Sequence, residues 1–462
     1  MKLVKSLLLG TAAGFVAVAG ANAADLPSRK AAPVEYVRVC SEYGKGFFYI
    51  PGSDTCIQIS GRVRADTMYI QTNNRNNDSF TFGVNTRLNL DVRTNTPYGT
   101  VRAYLRYGAT RGNNNYGAEF GKNGTGSSGG SAGLDQAYIQ FAGFTAGRLQ
   151  SFYDFYANND NFAPIRSSDT YNTTLAYTAT FGNGFSATIG IEDGAQRRVE
   201  DNRWGYWSDG SYTYRADGYS SAGQSVPDVI GVLRVDQSWG SAQLSAALHQ
   251  IRPAYFSRSF NIGNNPVANL YGPGDFSNKD TDYGFAVLGG VKLNLPMIAP
   301  GDALWIEGAY SEGALAYIGA NSYSYYQGGV NVPITDAFID SNGRLKKAKG
   351  WSAMVNFTHY WTPSIRQNLF ASYMKIDYSK GGYDTVYSDV YGSYNSGFLD
   401  TTELRVGSNV IWSPIKNFDI GVEVLYTRLD PKGRVLSENN GYAKTISSDD
   451  SWQGRLRVQR DF

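Results

Sequence analysis

Few residues in this 462-residue chain have the types and spacing that bond-making chemistry needs. There are two histidines, His249 and His359, and no nucleophile motif accompanies either. No His/Cys pattern has metal-ligand spacing. The Gly-rich tract 121–133 lacks a P-loop lysine and a strand-to-helix context, so it reads as a loop. These features point to a chain that is not an enzyme and needs no cofactor or metal. Another pattern is present. Arg62, Arg64, Arg87, Arg102 and Arg106 each fall on the polar alternate positions of an extended segment. A surface of fixed positive charge acts on ions and polar solutes through its field, without making or breaking bonds.

The segments that carry these arginines alternate with the period of a strand. Ile57, Ile59, Gly61, Val63, Ala65, Thr67 and Tyr69 oppose Gln58, Ser60, Arg62, Arg64 and Asp66. Phe80, Phe82, Val84, Thr86, Leu88, Leu90 and Val92 oppose Asn85, Arg87, Asn89, Asp91 and Arg93. Later segments repeat this, with Ala242, Leu244, Ala246 and Leu248 against Gln243, Ser245 and His249, and Leu404, Val406, Val410 and Trp412 against Glu403, Arg405 and Asn409. The segments run to about ten residues, as tilted membrane strands require, against about five or six for ordinary strands. The composition agrees: 53 Gly, 34 Tyr and 23 Phe, with 5 Met. A membrane chain without long apolar runs must hide its lipid-facing surface in alternation, and a closed barrel does this while satisfying every backbone N–H and C=O.

The connections alternate too. Short turns fall near 95–99, 142–143, 182–184, 239–240, 296–301, 362–364 and 413–417. Polar loops span 71–79, 108–133, 150–170, 193–225, 250–281, 311–349, 379–397 and 430–450. Seven turns and eight loops make sixteen strands, with short turns on the periplasmic side and long loops outside; the same spacing also admits fourteen or eighteen. Sixteen strands enclose water rather than a packed interior. Parity sends the rings of Tyr69, Phe80, Tyr107, Trp351, Trp361 and Trp412 outward, where aromatic girdles meet the interfaces with outer-membrane lipids. A sugar-binding slide would need the opposite parity. His249 has lumen parity near an outside loop, and His359 lipid-side parity near a turn.

The ends of the chain set the compartment. Lys2 and Lys5, the apolar stretch Leu7 to Ala19 and the small-x-small site Ala21-Asn22-Ala23 predict a signal peptide over residues 1–23. The precursor has 42 basic and 40 acidic residues; removing Lys2 and Lys5 leaves 40 against 40. A neutral mature chain gives no reason to expect nucleic acid as a partner. Cys40 and Cys56, an even pair in an exported chain, favour a disulfide that staples residues 24–55 to the start of the barrel at 56–462. The last segment places Trp452, Gly454, Leu456, Val458 and Phe462 on one face. The terminal Phe462 fits the aromatic end that outer-membrane assembly machinery reads. Arg460 breaks this apolar face close to the chain end, where a lipid-facing charge costs about 0–1 kcal/mol against roughly 2–4 at the midplane.

With these features in view, the chain resembles the general porins of alphaproteobacteria. The resemblance rests on the mature start Ala24-Asp-Leu-Pro-Ser-Arg-Lys30, the paired-cysteine segment from Cys40 to Cys56, the strand Ile57-Gln-Ile-Ser-Gly-Arg-Val-Arg64 and the end Val458-Gln-Arg-Asp-Phe462. It implies an all-β fold: a 16-stranded antiparallel transmembrane β-barrel, assembled as a homotrimer, for passive diffusion of ions and small hydrophilic solutes. It also implies that the third outside loop folds inward and narrows the pore. That loop, from Leu149 to Pro164 and onward, is aromatic and carries Asp154, Asp160 and Asp169. The Pro-Glu-Phe-Gly-Gly motif of enterobacterial porins is absent, so selectivity does not transfer from them. The expected constriction sets the five arginines on one wall against the three carboxylates; the same arginines could also be ordinary lumen residues in structural salt bridges. Two other readings compete with a general pore. A sugar-specific porin would show saturable block, and a barrel serving as adhesin or phage receptor would not conduct.

Overall fold

The computed structural model describes residues 38–71, 78–113, 128–200, 221–253, 260–262, 265–267, 281–320, 324–327, 330–339, 345–378, 385–389, 392–396, 398–439 and 442–462. The signal peptide expected over 1–23 and the mature start at 24 lie outside the described residues. Among the described residues, sixteen antiparallel strands follow one another around a single sheet. They are β1 (Thr55–Ile70), β2 (Phe80–Thr96), β3 (Gly99–Asn113), β4 (Ser128–Phe141), β5 (Phe144–Gln150), β6 (Tyr171–Gly182), β7 (Phe185–Glu192) and β8 (Asp228–Gln237). Then come β9 (Gly240–Ile251), β10 (Asp282–Asn294), β11 (Ala303–Glu312), β12 (Lys349–Thr362), β13 (Ile365–Asp377), β14 (Thr401–Ile415), β15 (Phe418–Pro431) and β16 (Asp449–Asp461). Each pairs with the next, and β1 pairs with both β2 and β16, so the sheet closes on itself.

Alternation decides which way the side chains point, as the sequence predicts. Ile59, Val63, Tyr69, Phe80, Phe82, Val84 and Leu88 are exposed on the outer wall. Asp66, Met68, Thr81 and Asp91, at the intervening positions, are buried. The rings of Tyr69, Phe80, Tyr107, Trp351, Trp361 and Trp412 are all exposed. Tyr69 meets Phe80 at the loop end of β1 and β2, with ring centroids 5.2 Å apart. Two-residue turns such as 142–143 and 183–184 use Ala142, Gly143, Asn183 and Gly184 at positive φ, the backbone that tight hairpins demand.

Several loop boundaries shift. The β3 and β4 strands run to Asn113 and resume at Ser128, further than the expected loop 108–133. Short hairpins rise within four of the outside loops, such as Thr385–Asp389 with Gly392–Ser396 and Val435–Asn439 with Tyr442–Ile446. Alternating polar sequence supports pairing beyond the bilayer as readily as within it.

The interior divides into two regions. On the arc β8–β13 the lumen is packed like a globular core. Loops from five connections enter it: Tyr153 and Phe155, Val199, Leu315 to Ile318 with Val332, Ile334 and Phe338, Tyr378 with Phe398 and Leu399, and Val435. The wall makes room by presenting small residues inward, among them Ala247, Ala286 and Ala309. At Gly290 an added Cβ would lie 2.3 Å from the Phe155 ring. The opposite arc, β1–β4 with β16, keeps polar lumen side chains and encloses the open space described below.

Both ends of the described chain are fastened to β1. Cys40 and Cys56 are disulfide-bonded and buried, and the short strand Phe47–Tyr49 pairs with Cys56–Gln58. The barrel closes where Gly61 and Phe462 exchange backbone hydrogen bonds at 2.8 and 3.0 Å. The Phe462 ring lies over Gly61, where a Cβ would come within 2.5 Å of the ring and 2.6 Å of the Arg87 carbonyl oxygen. Gly61→Val should therefore cost roughly 1–3 kcal/mol by overpacking the seam. The folded, heat-modifiable fraction on unboiled SDS gels should fall. Adding Phe462→Ala should recover only part of it, because the backbone clash with Arg87 remains.

Candidate pore constriction

A cavity of about 670 Å³ lies between the polar arc and the loop that joins β5 to β6. Strands place one side of it. Arg62 and Arg64 come from β1, Arg87 from β2, Arg106 from β3 and Arg457 from β16, with Arg366 from β13. The loop supplies the other side, through Asn158, Asp160, Asn161 and Asp169. Four of the five arginines singled out in the sequence thus line one cavity, together with two of the three carboxylates. The exceptions are informative.

Arg102 is absent from this lining. It lies nearer the turn end, directly opposite Arg93, and both guanidinium groups hold Asp91 at 2.8 Å. Its other Nη donates to Gln140 at 3.0 Å. Asp154 is absent too. It is buried at the base of the loop, 2.8 Å from Arg197, and neither side chain has any exposure. Ser168 Oγ and the Thr170 N–H donate to the same carboxylate. Burial opposes charge on Arg197, yet Asp154, Tyr317 and Glu192 hold its pKa above the ordinary arginine value. Asp160 behaves differently: burial pushes its carboxyl up, against the pull of Lys292 and Arg366.

Three wall carboxylates hold the loop in place. Glu423 of β15 accepts from the N–H groups of Phe162 and Ala163, each at 2.6 Å. Glu307 of β11 accepts from Tyr156 N–H at 3.0 Å and Ser167 Oγ at 2.9 Å. Glu403 of β14 binds Arg166 through both oxygens at 3.1 and 2.7 Å, and Arg166 also donates to the Gly319 carbonyl at 2.8 Å. The loop is therefore pinned at points on separate strands of the wall. Ala157 and Asn158, at φ 48° and 50°, turn the chain at its tip. Asn158 Oδ1 then accepts from Ile165 N–H at 2.9 Å and Asn161 at 3.1 Å.

A second cluster fastens the neighbouring loops. His249 Nδ1 lies 2.8 Å from Asp228, which also accepts from Tyr317 Oη at 2.8 Å. Asp336 accepts from Val199 N–H at 2.6 Å and Leu315 N–H at 2.7 Å. Burial raises the Asp336 carboxyl to about 6, against the attraction of His249 and the two amides. His249 has lumen parity as expected and is sealed in this packing. His359 faces outward near its turn and bonds Asp302 at 2.7 Å. Among the described residues, no group of His, Cys, Asp and Glu could hold a metal ion.

Sequence reasoning missed Glu307, Glu423, Arg166 and Asp336 as anchors. A signal was available for two of them: Glu307 and Glu423 are isolated carboxylates at lumen parity, flanked by Ile306 and Gly308 and by Val422 and Val424.

A family model described as the Porin subfamily matches residues 25–455. The porin Omp2b of Brucella suis is 32% identical over 471 residues, covering 99% of this chain and 99% of the relative. The Omp2b of Brucella melitensis is 31% identical over 471 residues with the same coverage. Among solved structures, the outer membrane channel DcaP of Acinetobacter baumannii shares the fold. Its TM-score is 0.58 at 15% identity, covering 90% of this chain and 99% of the other.

Replacing Asp154 tests the anchoring. Asp154→Ala leaves the Arg197 guanidinium buried and unpaired, which costs about 3–5 kcal/mol. The urea midpoint of the detergent-solubilised protein should fall, and protease should cut within 151–170. Asp154→Ala with Arg197→Met should restore only part of the midpoint, because the unpaired guanidinium is gone but buried Glu192 then loses the cation beside it.

Proposed function

The chain belongs to the porin subfamily, and from that premise we propose how its pore sorts solutes and how its barrels associate. It is an outer-membrane β-barrel porin that forms a passive diffusion channel. Its family makes it a channel rather than an enzyme.

The constriction is the cavity between the arginine wall and the third outside loop. The observation that carries this reading is the charge around one space: Arg62, Arg64, Arg87, Arg106, Arg366 and Arg457 against Asp160, Asp169 and Asp419. Opposed rows of fixed charge set up a field across the narrowest water. That field orients dipolar solutes and disfavours apolar ones. The surplus of guanidinium groups favours anions over cations. Arg102 contributes near the turn end, where it shares the single Asp91 carboxylate with Arg93, and Asp154 contributes by holding the loop. Phe462 serves as the assembly signal from its exposed position on the seam.

The barrels associate as homotrimers through the outer face of β5–β7. Two features support this face. The β5 and β7 strands have 7 and 8 residues, short of the about 9–11 that span a bilayer. Arg148 lies on the outer face of β5, opposite Ala137 and Thr173. A charge facing lipid at mid-height costs roughly 2–4 kcal/mol, and contact with another copy of the chain removes that exposure.

Two measurements test these readings. In planar bilayers with a salt gradient, Arg62, Arg64, Arg87 and Arg106 changed together to Gln should move the reversal potential toward cation preference. Arg102→Gln alone should move it least of the five. An unmoved potential in the fourfold variant rejects the arginine wall as the selectivity element. For assembly, Arg148→Glu should convert crosslinked trimers to monomers while barrels still fold; trimers at the wild-type yield reject this face.

A further inference from the structure

We propose that Arg64, Arg87 and Arg106 form a binding subsite for a multivalent oxyanion, such as phosphate, on the pore wall. The proposal rests on the channel reading above and names the chemical group that this wall retains.

The six arginines around the cavity fall into two sets. Three are neutralised by carboxylates at hydrogen-bond distance. Arg62 meets Asp461 at 2.7 Å, Arg457 meets Asp66 at 2.8 Å, and Arg366 meets Asp419 at 2.8 Å. The other three have no carboxylate at that distance. Arg64 donates through Nε to the amide oxygen of Gln459 at 3.0 Å. Arg106 donates to Asn89 and to the Tyr104 hydroxyl, each at 3.0 Å. All of these acceptors are neutral. Arg87 makes only a longer ion pair, with Nε 3.7 Å from Asp135, and that Nε is buried with no hydrogen-bond partner.

The register brings these three together. On β2, Arg87 sits between Asn85 and Asn89 on the same face. Arg64 of β1 is opposite Asn85, and Arg106 of β3 is opposite Asn89. The three stems therefore form a diagonal row across adjacent strands. Diagonal neighbours lie about 7–8 Å apart, within reach of long side chains. Arg87 is also directly opposite Arg62, and like charges in that position destabilise a strand pair. An anion held among the guanidinium groups replaces that repulsion with attraction.

The donors choose the ligand. A guanidinium presents a planar fork that matches the paired oxygens of phosphate or carboxylate. Three such forks suit an ion with several charged oxygens better than a single carboxylate or a chloride. Asp160 and Asp169 line the same cavity and repel the bound ion. Retention weak enough for release is what a conducting pore requires.

The test is single-channel conductance of the whole protein in constant KCl at pH 8, titrated with potassium phosphate, sulfate or acetate. Phosphate and sulfate should reduce the chloride current saturably at millimolar concentration, with acetate at least tenfold weaker. Arg87→Ala with Arg106→Ala should weaken the phosphate block tenfold or more. Arg64→Gln, read by the same titration, stands in if the double variant fails to fold, and should weaken the block severalfold. Unsaturable block, acetate acting as strongly as phosphate, or an unchanged block in the variant read overturns the subsite. A wild-type protein that forms no channel in KCl alone overturns the porin reading along with it. Normal conduction without saturable block overturns only the subsite.

Discussion

A strand in hydrocarbon has no water to satisfy its backbone, and this constraint governs the rest of the molecule. The sheet must close, so β1 takes two partners, and the terminal Phe462 zips against Gly61. Closure fixes the register of every pair, and a one-residue slip would turn a whole strand inside out. Parity then does two jobs at once. It presents Phe82, Val84 and Leu88 to lipid and delivers Arg87 to the lumen from the same strand. The charged wall is thus a consequence of the rule that keeps the outside apolar.

Closure alone would leave a wide and featureless hole. The narrowing comes from loops that build a second core inside the barrel. Tyr153 packs edge-on against Tyr317 with centroids 4.7 Å apart, and Phe155 meets Trp305 at 5.1 Å. These contacts remove aromatic area from water as a soluble core does. The polar anchors do something different. Burying ions costs several kcal/mol each, so pairs such as Arg197–Asp154 add little net stability over apolar substitutes. What they supply is position. Glu307, Glu403 and Glu423 reach the loop from β11, β14 and β15, so the loop cannot slide along one strand while it keeps all three.

How much of this could be read from residues alone depends on the range of the interaction. Strand count, turn sequence, outward rings and the lumen parity of Arg62, Arg64, Arg87 and Arg106 all follow from period and spacing, which are local. The paired Cys40 and Cys56 were also legible, because they are the two cysteines of an exported chain. The loop anchors were not. Phe162 meets Glu423 across 261 positions, and Arg166 meets Glu403 across 237. Asp154 and Asp160 look alike in sequence, as aspartates beside aromatic and asparagine residues, yet one is sealed against Arg197 and the other lines water. Arg102 shows the same limit. It has the parity of Arg106, four residues away, but Asp91 occupies it at its height in the wall. Parity gives direction, whereas height and partner come only from the closed sheet.

The division of the interior also explains how an arginine-rich wall is tolerated. Within the packed interior, the buried cations are matched: Arg197 with Asp154, Arg166 with Glu403, and His249 beside Asp228 and Asp336. An unmatched guanidinium there would carry the full cost of desolvation. On the open arc, the cavity lets water and counter-ions approach Arg64 and Arg106, so the same mismatch is screened. Uncompensated charge can therefore accumulate only where the loops leave space. The packing that fills the far side of the lumen and the charge that faces the open side are two outcomes of one arrangement: each loop residue that packs there leaves the remaining space to the side where positive charge is affordable.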